Sequence, residues 1–438
     1  MARIAPFRAL RYNPKRVSLR EAATQPYDKI TSPMQDRYYS ASPHNLVRII
    51  LGKQQANDHP GGNPYTRAAG YFQDWRRHDI FCQDDKPSIY AYRQSFTVPG
   101  KPDERERLGF IALGRIEDYS AGVIFRHEQT LAKPKADRLE LLRATRAHFG
   151  QLFMLHSDPA GEIERSLPTN STPPVDFTDE YGVRQQLWPI SDPGVLETVT
   201  SKMRDKKLII ADGHHRYETA IAYRDERRAA DSGRGQPPAS SQPAPYEFVM
   251  MTFVSLESSG MVVLPTHRVV YGLPFFTADS LRDRARPYFS VEEVDSSTDA
   301  TRAAVILREA GRTGTALLAV TADRVFLLDR PAGTADFFAG LSLRQQSLDV
   351  VQLHKCLLEQ VLGISEEAIR NQQNITYIRD ADEAMDRVRQ QGANVAFLMN
   401  PVRVQQVRDI AFAGEVMPQK STDFYPKLLS GLTIYALD

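Results

Sequence analysis

Residues 211–217 form the densest group of chemically versatile side chains in the sequence, reading Ala-Asp-Gly-His-His-Arg-Tyr. Gly213 permits a tight turn and lets a ligand approach the backbone closely. A helix that starts directly after this glycine presents amides without intrahelical acceptors, and the positive end of its dipole, to a phosphate. Arg216 adds a bidentate donor for phosphate oxygens, and the two histidines add further donors. The predicted phosphate- or nucleotide-binding residues are Asp212, Gly213, His214, His215 and Arg216.

A strand and a helix must position this turn. The apolar run at 208–211 is typical of a buried strand, and helical periodicity resumes from 214 to about 228. Asp192 followed by Pro193 marks the start of an earlier helix, because a capping carboxylate and a proline at the first helical position favour one. A structural strand-to-helix turn with solvated charges is the alternative interpretation. Metal binding by both histidines is less favoured, since adjacent helical residues point about 100° apart.

Two further segments carry groups suited to catalysis or phosphate binding. The sequence Arg-His-Glu at 126–128 follows a short strand, and catalytic groups often lie at strand ends in α/β folds. Glu128 is a candidate general base for a hydroxyl nucleophile or a ligand of Mg²⁺, and His127 could orient it or contact the substrate. A solvated charged turn is the alternative for this segment. The second segment is a proline-bounded loop of the C-terminal part, where Lys420, Ser421 and Thr422, with the nearby Lys427, could contact phosphate. A plain surface loop is the alternative there.

Isolated polar residues near turns and strand ends give weaker predictions. Tyr27 and Asp28 lie in an early turn, where Tyr27 could contact a substrate and Asp28 could bind magnesium or a substrate hydroxyl. Thr266 and His267 end an apolar strand and could offer a hydroxyl and an imidazole to a cleft. His354, in contrast, stands among apolar residues at helical spacing, which predicts a packed and hydrogen-bonded core histidine.

Residues 211–220 resemble the phosphate-binding turn of the ParB/sulfiredoxin superfamily, in which a Gly-x-x-Arg turn entering a helix lies under the phosphates of a nucleotide. The superfamily includes CTP-binding chromosome-partitioning proteins, ATP-using sulfiredoxins and free-serine kinases. The resemblance implies a ParB/sulfiredoxin-like element around residues 190–230, a nucleotide cofactor (ATP or ADP first) and Mg²⁺. It also implies a kinase-like phosphotransferase acting on a small hydroxyl compound such as serine. The catalytic candidates are then Asp28, Glu128 and His215.

Over its whole length the chain resembles the family of unknown function DUF1015. The landmarks lie at 7–10 (Phe-Arg-Ala-Leu), 26–30 (Pro-Tyr-Asp-Lys-Ile), 126–128, 135–139 (Lys-Ala-Asp-Arg-Leu), 264–268 (Leu-Pro-Thr-His-Arg) and 417–422 (Met-Pro-Gln-Lys-Ser-Thr). Two features depart from the family pattern, namely Gln25, where the family often has a second proline, and an insertion at 230–245. The resemblance implies the family's fold, whereas it leaves the activity open.

Composition narrows the class of protein. The 438 residues include 55 Lys plus Arg and 54 Asp plus Glu, so the net charge of +1 shows no basic excess of the kind expected of nucleic-acid binders. The two cysteines lie far apart, which favours reduced thiols over a disulfide scaffold. No signal peptide is apparent, and no apolar run approaches the roughly 20 residues of a membrane span. We therefore expect a cytoplasmic protein whose partner is a small molecule, while the sequence leaves the oligomeric state open.

A segment at 230–245, rich in Ser, Gly, Pro and Ala, predicts an exposed loop. It divides the chain into an N-terminal part at 1–230 that carries the Gly-His-His-Arg turn, a loop at 231–245 and a C-terminal part at 246–438. Helical and strand patterns are mixed in both parts. We therefore expect an α/β or α+β fold in which mixed sheets are flanked by helices.

Several local patterns predict particular elements. Strands at 316–320 and 325–329 are expected to form a hairpin, and residues 375–399 a strand–helix–strand unit with parallel strands in one sheet. A single helix is expected over 347–362. Asp137, with a glutamate three residues later, favours a capping box at a helix start.

Two other classes of function remain open. A ParB-like nucleotide-gated binding protein needs a DNA-reading element, usually a helix-turn-helix, and no convincing one follows residue 228, where a proline-rich loop intervenes. A metal-dependent hydrolase would need a His-bound metal and would differ in metal content. The sequence has no nucleophile elbow, Walker loop or dinucleotide glycine fingerprint, which gives lipase-like, Walker-type and Rossmann functions little support.

Overall fold

The computed structural model describes residues 1–129, 132–232, 243–332 and 336–438, without the side chains of 132–134. The chain forms two compact units. Unit 1 comprises Met1–Arg126, Thr130–Val262 and Pro426–Asp438, and unit 2 comprises His127–Gln129 and Val263–Tyr425. The last 13 residues, 426–438, therefore belong to the same unit as the first ones.

The strands, in chain order, are β1 (Ile4–Ala5), β2 (Leu10–Tyr12), β3 (Phe81–Gln83), β4 (Ile89–Thr97), β5 (Glu104–Arg115), β6 (Ile124–Phe125), β7 (Ala147–His148), β8 (Leu152–His156), β9 (Val175–Thr178), β10 (Arg184–Ile190), β11 (Leu208–Asp212), β12 (Phe248–Ser255), β13 (Val262–Leu264), β14 (His267–Val270), β15 (Ser290–Val294), β16 (Ala316–Val320), β17 (Val325–Asp329), β18 (Ile375–Ile378), β19 (Val395–Met399), β20 (Asp423–Tyr425) and β21 (Tyr435–Ala436).

The α-helices are α1 (Leu19–Ala22), α2 (Ser32–Ala41), α3 (Val47–Ile50), α4 (Pro64–Arg77), α5 (Ala132–Thr145), α6 (Glu162–Arg165), α7 (Pro193–Met203), α8 (His214–Ser232), α9 (Ala278–Ala285), α10 (Ala300–Ala310), α11 (Leu343–Gln346), α12 (Asp349–Gln352), α13 (Glu366–Arg370), α14 (Ala381–Arg389) and α15 (Val404–Phe412). A π-helix at Leu353–Val361 follows α12 directly. Among the described residues, no helix combines the length and apolar character needed to cross a bilayer.

Unit 1 is built on a mixed nine-stranded sheet. Its order is β6-β11-β8-β12-β5-β4-β10-β9, with β1 also paired to β5. β11 runs parallel to β6 and antiparallel to β8, while β12 runs parallel to β8 and antiparallel to β5. The expectation of mixed sheets with flanking helices is confirmed. β12 pairs with β5, which explains why residues 246–262 lie in unit 1, although the division at the predicted loop places them in the C-terminal part. Residues 233–242 of that loop lie outside the described residues.

The helix before the turn-bearing strand begins where the sequence predicted. Asp192 caps α7, since its Oδ1 accepts a hydrogen bond of 2.9 Å from the backbone N of Val195. On the buried side of this helix, Val199 and Met203 pack in one apolar cluster with residues of β11 and β5. The helix thereby supports the strand that leads to Gly213, because both bury their apolar faces in the same core.

The predicted helix start at Asp137 is wrong. α5 begins at Ala132, so Asp137 lies inside the helix rather than at its cap. Its carboxylate has other partners, accepting a hydrogen bond of 2.7 Å from the hydroxyl of Tyr65 and another from Arg138. A charged residue in a helix interior thus serves a tertiary contact, which helical periodicity does not report.

Unit 2 contains a six-stranded sheet of order β15-β17-β16-β19-β14-β18. The predicted hairpin is confirmed, with Val320 opposite Val325 in the β16–β17 pair. β14 is antiparallel to both β18 and β19, so these two strands run parallel with β14 between them. The prediction of parallel strands in one sheet is therefore confirmed, and an inserted strand separates them.

The helix expected over 347–362 is only partly α-helical. α12 spans four residues, and the chain then widens into the π-helix Leu353–Val361. π-helical turns are rare and are frequently found at functional sites. Apolar spacing alone does not distinguish the two helix types, because a buried stripe suits both.

Candidate functional site

The turn at Gly213 joins β11 to α8 as the sequence predicted. Gly213 has a φ of +96°, in the left-handed region that glycine adopts without strain. α8 begins at the next residue, and the backbone N of Tyr217 donates to the carbonyl O of Gly213 at 2.9 Å. The start of a 19-residue helix therefore lies directly at the end of a buried strand.

Arg216 folds back over this turn. Its Nη1 donates to the carbonyl O of Gln151 at 2.7 Å, and its Nη2 donates to Oδ2 of Asp212 at 2.7 Å. A Cβ atom on Gly213 would lie 3.0 Å from the same Nη2, so the guanidinium packs against the glycine itself. The glycine thus makes both the backbone turn and the position of the arginine possible.

Lys427 approaches Asp212 from the C-terminal segment of unit 1. Its Nζ donates to Oδ1 of Asp212 at 3.2 Å, and its side chain is 7% exposed. Burial alone would raise the pKa of Asp212, but the charges of Lys427, Arg216 and Lys29 outweigh burial and hold that pKa far below its usual range. Asp212 is therefore ionised at neutral pH, and each of its oxygens binds one cation.

A buried polar network fixes the backbone around Lys427. Arg107, which is 1% exposed, donates to the carbonyl O of Pro426 and to Oε1 of Gln94. Gln94 in turn donates through Nε2 to the carbonyl O of Lys427 at 3.1 Å. These bonds link β4 and β5 to the last segment of the chain. They position a lysine that is remote from the turn in sequence.

A cavity of about 70 Å³ lies beside Arg216. This volume has room for a few water molecules or one small anion. Of the turn residues that the structure describes, Arg216 lines the cavity, whereas Gly213, His214 and His215 do not. The polar residues of the lining are Tyr27, Arg138, His148, Arg216, Thr219 and Ser430.

Tyr27 lines this cavity and contacts a second guanidinium of the lining. The Cζ of Arg138 lies 4.1 Å from the centroid of the Tyr27 ring, a cation–π contact. Burial and the charge of Asp28 raise the pKa of Tyr27 to about 12, against the opposing charges of Arg138 and Arg216. The phenol is therefore protonated at neutral pH and can donate a hydrogen bond to a ligand.

His148 contributes no positive charge to the cavity at neutral pH. Burial lowers its pKa to about 4. Its ring stacks on Tyr435, with centroids 6.1 Å apart and planes 8° from parallel. The positive charge of the lining thus comes from Arg138 and Arg216.

Several residues that shape this region were not among the predicted site residues. Arg138 lies within the landmark 135–139, which is the one indication of its importance in the sequence. Lys427 was predicted only as a phosphate contact of a loop, and its burial against Asp212 has no local pattern that would reveal it. The residues that were not predicted are Arg138, His148, Thr219 and Ser430.

The remaining predicted residues divide between the units. Asp28 is exposed in unit 1, in the short turn Tyr27–Lys29. His214 is buried and His215 half-buried in the first turn of α8, also in unit 1. The predicted residues that belong to unit 2 are His127, Glu128, Thr266, His267, Lys420, Ser421 and Thr422.

Unit 2 brings two of the predicted segments together. Oε1 of Glu128 accepts hydrogen bonds from the backbone N of Thr422 at 2.7 Å and from its hydroxyl at 2.6 Å. Nε2 of the buried His127 lies 2.8 Å from the same hydroxyl. Ser421 donates to the carbonyl O of Pro418 at 2.6 Å. The segments at 126–128 and 417–422 thus form one hydrogen-bonded cluster.

Thr266 and His267 form the other predicted pair in unit 2, and the histidine is less exposed than a residue that lines a cleft. His267 is 4% exposed, and its Nδ1 accepts from the backbone N of Met399 at 3.3 Å. Burial and the nearby charge of Arg268 lower the pKa of His267 to about 4. The imidazole is therefore neutral and packed in the sheet, and substrate contact by Thr266 and His267 stays a prediction.

A family model described as "protein of unknown function (DUF1015)" matches residues 4–351. The chain belongs to the DUF1015 family. The predicted family membership is thereby confirmed, and the match covers most of the chain. The landmark at 417–422 lies beyond the matched residues.

Solved structures similar to this DUF1015 protein include a conserved hypothetical protein from Pyrococcus furiosus, 11% identical, covering 71% of this chain and 91% of that one with a TM-score of 0.35. A free serine kinase in complex with AMP is 12% identical, with coverages of 71% and 88% and a TM-score of 0.35. SbnI with C-terminal truncation from Staphylococcus aureus is 10% identical, with coverages of 74% and 87% and a TM-score of 0.36. At such identities and TM-scores the likeness carries no functional argument. No curated protein matches the chain.

The described part of this DUF1015 protein has no group of three or more His, Cys, Asp or Glu residues placed to hold a metal ion. Asp212 is poorly suited to a metal because Arg216 and Lys427 already occupy its two oxygens. The residues present therefore do not fit a protein-held Mg²⁺ site of several carboxylates.

Proposed function

We propose that this protein binds the phosphates of a nucleotide, ATP or ADP, beside Arg216 and acts as a small-molecule kinase. The observation that carries the proposal is the position of Arg216. This guanidinium is anchored at the start of α8, and it lines a cavity of about 70 Å³ that matches a phosphate group in size. The resemblance of residues 211–220 to the ParB/sulfiredoxin phosphate-binding turn points to the same ligand.

Arg216 keeps donors for a ligand despite its two internal bonds. A guanidinium has five N–H donors, and the bonds to Gln151 and Asp212 use one on each terminal nitrogen. The remaining donors suit the bidentate binding of a phosphate. The internal bonds hold the planar group in place, which lowers the entropy lost when a ligand binds.

The charge balance also favours an anion. Lys427 compensates the charge of Asp212, so Arg216 is not fully neutralised by that carboxylate. Arg138 supplies a second guanidinium at the cavity, although Asp137 pairs with it. The dipole of α8 adds a partial positive charge at the same end of the helix.

Phosphoryl transfer asks the protein mainly to position groups and stabilise charge, so few catalytic side chains are needed. In our proposal Tyr27 contacts the bound nucleotide or acceptor, and Asp28, exposed beside it, is one candidate base. His215, in the first turn of α8, is a further contact. Mg²⁺ would be held chiefly by the nucleotide's own phosphates, as is usual for this ion.

Nucleotide binding is tested by thermal unfolding of the full chain with ATP, ADP or CTP, each with and without Mg²⁺. A ligand at about 100 times its Kd stabilises a protein by about 2.7 kcal/mol. We expect ATP and ADP to stabilise the wild type and Arg216→Ala to remove the shift. Arg227→Ala is the matched control, because Arg227 lies on the same helix and pairs with Asp231 instead. Equal shifts for the two variants contradict the binding site.

Kinase activity is tested by nucleotide turnover with a panel of hydroxy amino acids, with serine first. We expect ADP formation that depends on both the acceptor and Arg216. Asp28→Asn tests the candidate base, since loss of kcat with nucleotide binding intact identifies it. A folded protein that binds nucleotide and turns over none with any acceptor contradicts the kinase proposal.

A further inference from the structure

Arg268 of unit 2 is a buried cation whose partners are neutral. It lies on β14 and is 0% exposed. Its guanidinium donates to the carbonyl oxygens of Thr266 and Lys420, the latter at 3.1 Å, and to the sulfur of Met399 at 3.1 Å. Among the described residues no carboxylate forms an ion pair with it. The Nε–H group, also buried, has no hydrogen-bond partner in the described part of the chain.

His354 presents a second buried nitrogen in the same unit. It lies in the π-helix Leu353–Val361 and is 6% exposed, and its Nε2 has no partner among the described residues. Burial, with the charge of Arg268 adding to it, lowers the pKa of His354 well below its usual value, so the imidazole is neutral. The expectation of a packed histidine is confirmed, whereas the expected hydrogen bond is not made by Nε2.

Glu128 and Tyr377 lie around the same guanidinium. The Cζ of Arg268 is 5.3 Å from the centroid of the Tyr377 ring. The charge of Glu128 acts on Arg268, although the two side chains form no ion pair. The side chain of Glu128 retains 15% exposure, so the cluster extends from the core of the unit towards its accessible surface.

Such an arrangement is costly unless a ligand completes it. An ionised group taken out of water loses much of its solvation, and buried charges in proteins are normally paired. Buried N–H groups are likewise nearly always hydrogen-bonded. The π-helix that carries His354 is a second feature that proteins usually keep for functional positions. A bound anion would satisfy the guanidinium charge and both nitrogens together.

We propose that unit 2 has its own binding site for a small oxyanion, a carboxylate or phosphate group held by Nε of Arg268 and Nε2 of His354. The guanidinium supplies the opposite charge, and the neutral imidazole donates from Nε2 in the tautomer that protonates this nitrogen. Three landmark segments, at 126–128, 264–268 and 417–422, supply the surrounding residues. The site uses none of the groups assigned to nucleotide binding in unit 1.

The test uses full-length Arg216→Ala protein, so that phosphate binding in unit 1 does not contribute. Inorganic phosphate and malonate are titrated separately, which distinguishes the two sources of oxyanion, and Tm and Kd are measured. We expect at least one probe to raise Tm. Adding His354→Phe should weaken its binding about tenfold or more, because a hydrogen bond to a charged group is lost. Arg268→Gln should abolish binding, and Arg324→Gln, a surface control paired with Glu293, should not change it.

A crystal soaked with selenate gives a readout that does not depend on stability. Selenate is an oxyanion of phosphate size with an anomalous signal. A peak within hydrogen-bonding distance of both Arg268 Nε and His354 Nε2 supports the site. Water alone at these nitrogens, or no response of Arg216→Ala protein to either probe, overturns it. A peak at Arg216 without one at Arg268 overturns this inference while supporting the unit 1 site, so the two proposals fail separately.

Discussion

The Nζ of Lys427 lies 3.2 Å from Oδ1 of Asp212, although 215 residues separate them in the chain. Arg216 binds the other oxygen of the same carboxylate from one helical turn away. The candidate site therefore combines the neighbouring residues Asp212 and Arg216 with Lys427, which comes from the C-terminal segment. The carboxylate of Asp212 is the shared partner of the two cations.

Removing one member of this group should destabilise unit 1. Lys427→Met leaves the Asp212 carboxylate with a single cation in a partly buried position, at a cost of about 1–3 kcal/mol in the free energy of unfolding. Asp212→Asn alone leaves both cations without their carboxylate, so the double variant should lose less than the sum of the two single losses. Urea unfolding of both single variants and the double variant gives the coupling energy. Strictly additive effects would show that the contact contributes nothing.

Gly213→Ala should disturb both the backbone and Arg216. The φ of +96° strains any residue with a Cβ, and the new atom would lie 2.8 Å from Leu152 and 3.0 Å from the guanidinium. We expect a loss of about 1–3 kcal/mol in stability together with loss of nucleotide binding. Gly122→Ala is the matched control, because its φ is +64° and nothing lies within 4 Å of the new atom. Equal losses in urea unfolding for both variants would assign the effect to backbone strain alone.

Loss of the α7 cap should cost about 1 kcal/mol. Asp192→Ala removes the acceptor for the backbone N of Val195. The expected effect is a lower midpoint in urea with an unchanged m-value, since the fold is retained. Glu197→Ala, at another position of the same helix, should change stability by no more than about 0.5 kcal/mol. A cap variant as stable as this control would show that α7 needs no carboxylate at its start.

Asp349 should make unit 2 less stable as the pH rises. Burial raises the pKa of Asp349 to about 7, although bonds from Thr315 and Ala316 and the charge of Arg403 oppose the rise. A folded pKa above the unfolded value of about 3.9 means that the folded state binds more protons in this interval. The resulting stability is complete below pH of about 4 and is lost as the pH approaches about 7.

The check is urea unfolding of wild type and Asp349→Asn between pH 4 and 8. The wild type should lose roughly 1.4 kcal/mol for each unit of pKa shift that is realised. Asp349→Asn should flatten this slope, because an amide does not titrate. The same slope in both proteins would place the titrating group elsewhere.

Local sequence patterns accounted for the elements that position the turn. The apolar run ending at Asp212, the glycine and the helical periodicity after it predicted β11, the turn and α8. Asp192 with Pro193 predicted the capped start of α7, and the alternating segments around Thr321 predicted the β16–β17 hairpin. These features depend on neighbours within a few residues, where spacing and side-chain type determine the backbone conformation.

Patterns of the same kind failed where a side chain serves a distant partner. Asp137 looked like a cap because it precedes a helical stripe, yet it lies within α5 and binds Tyr65. The segment 347–362 has an ordinary apolar stripe, yet most of it is a π-helix. At Asp137 a tertiary contact overrides the local preference, and in 347–362 apolar spacing does not distinguish an α-helix from a π-helix.

By itself the sequence determined the family, the mixed α/β class and the strand–glycine–helix turn, because these follow from landmark residues and local periodicity. Only the tertiary structure decided that Lys427 reaches Asp212, that Arg216 lines a cavity with Arg138, and that the buried Arg268 forms no ion pair with the described residues. Contacts between residues hundreds of positions apart, such as Lys427 and Asp212, leave no periodic trace in a single sequence. They arise when the sheets and helices pack and bring remote segments to the same place.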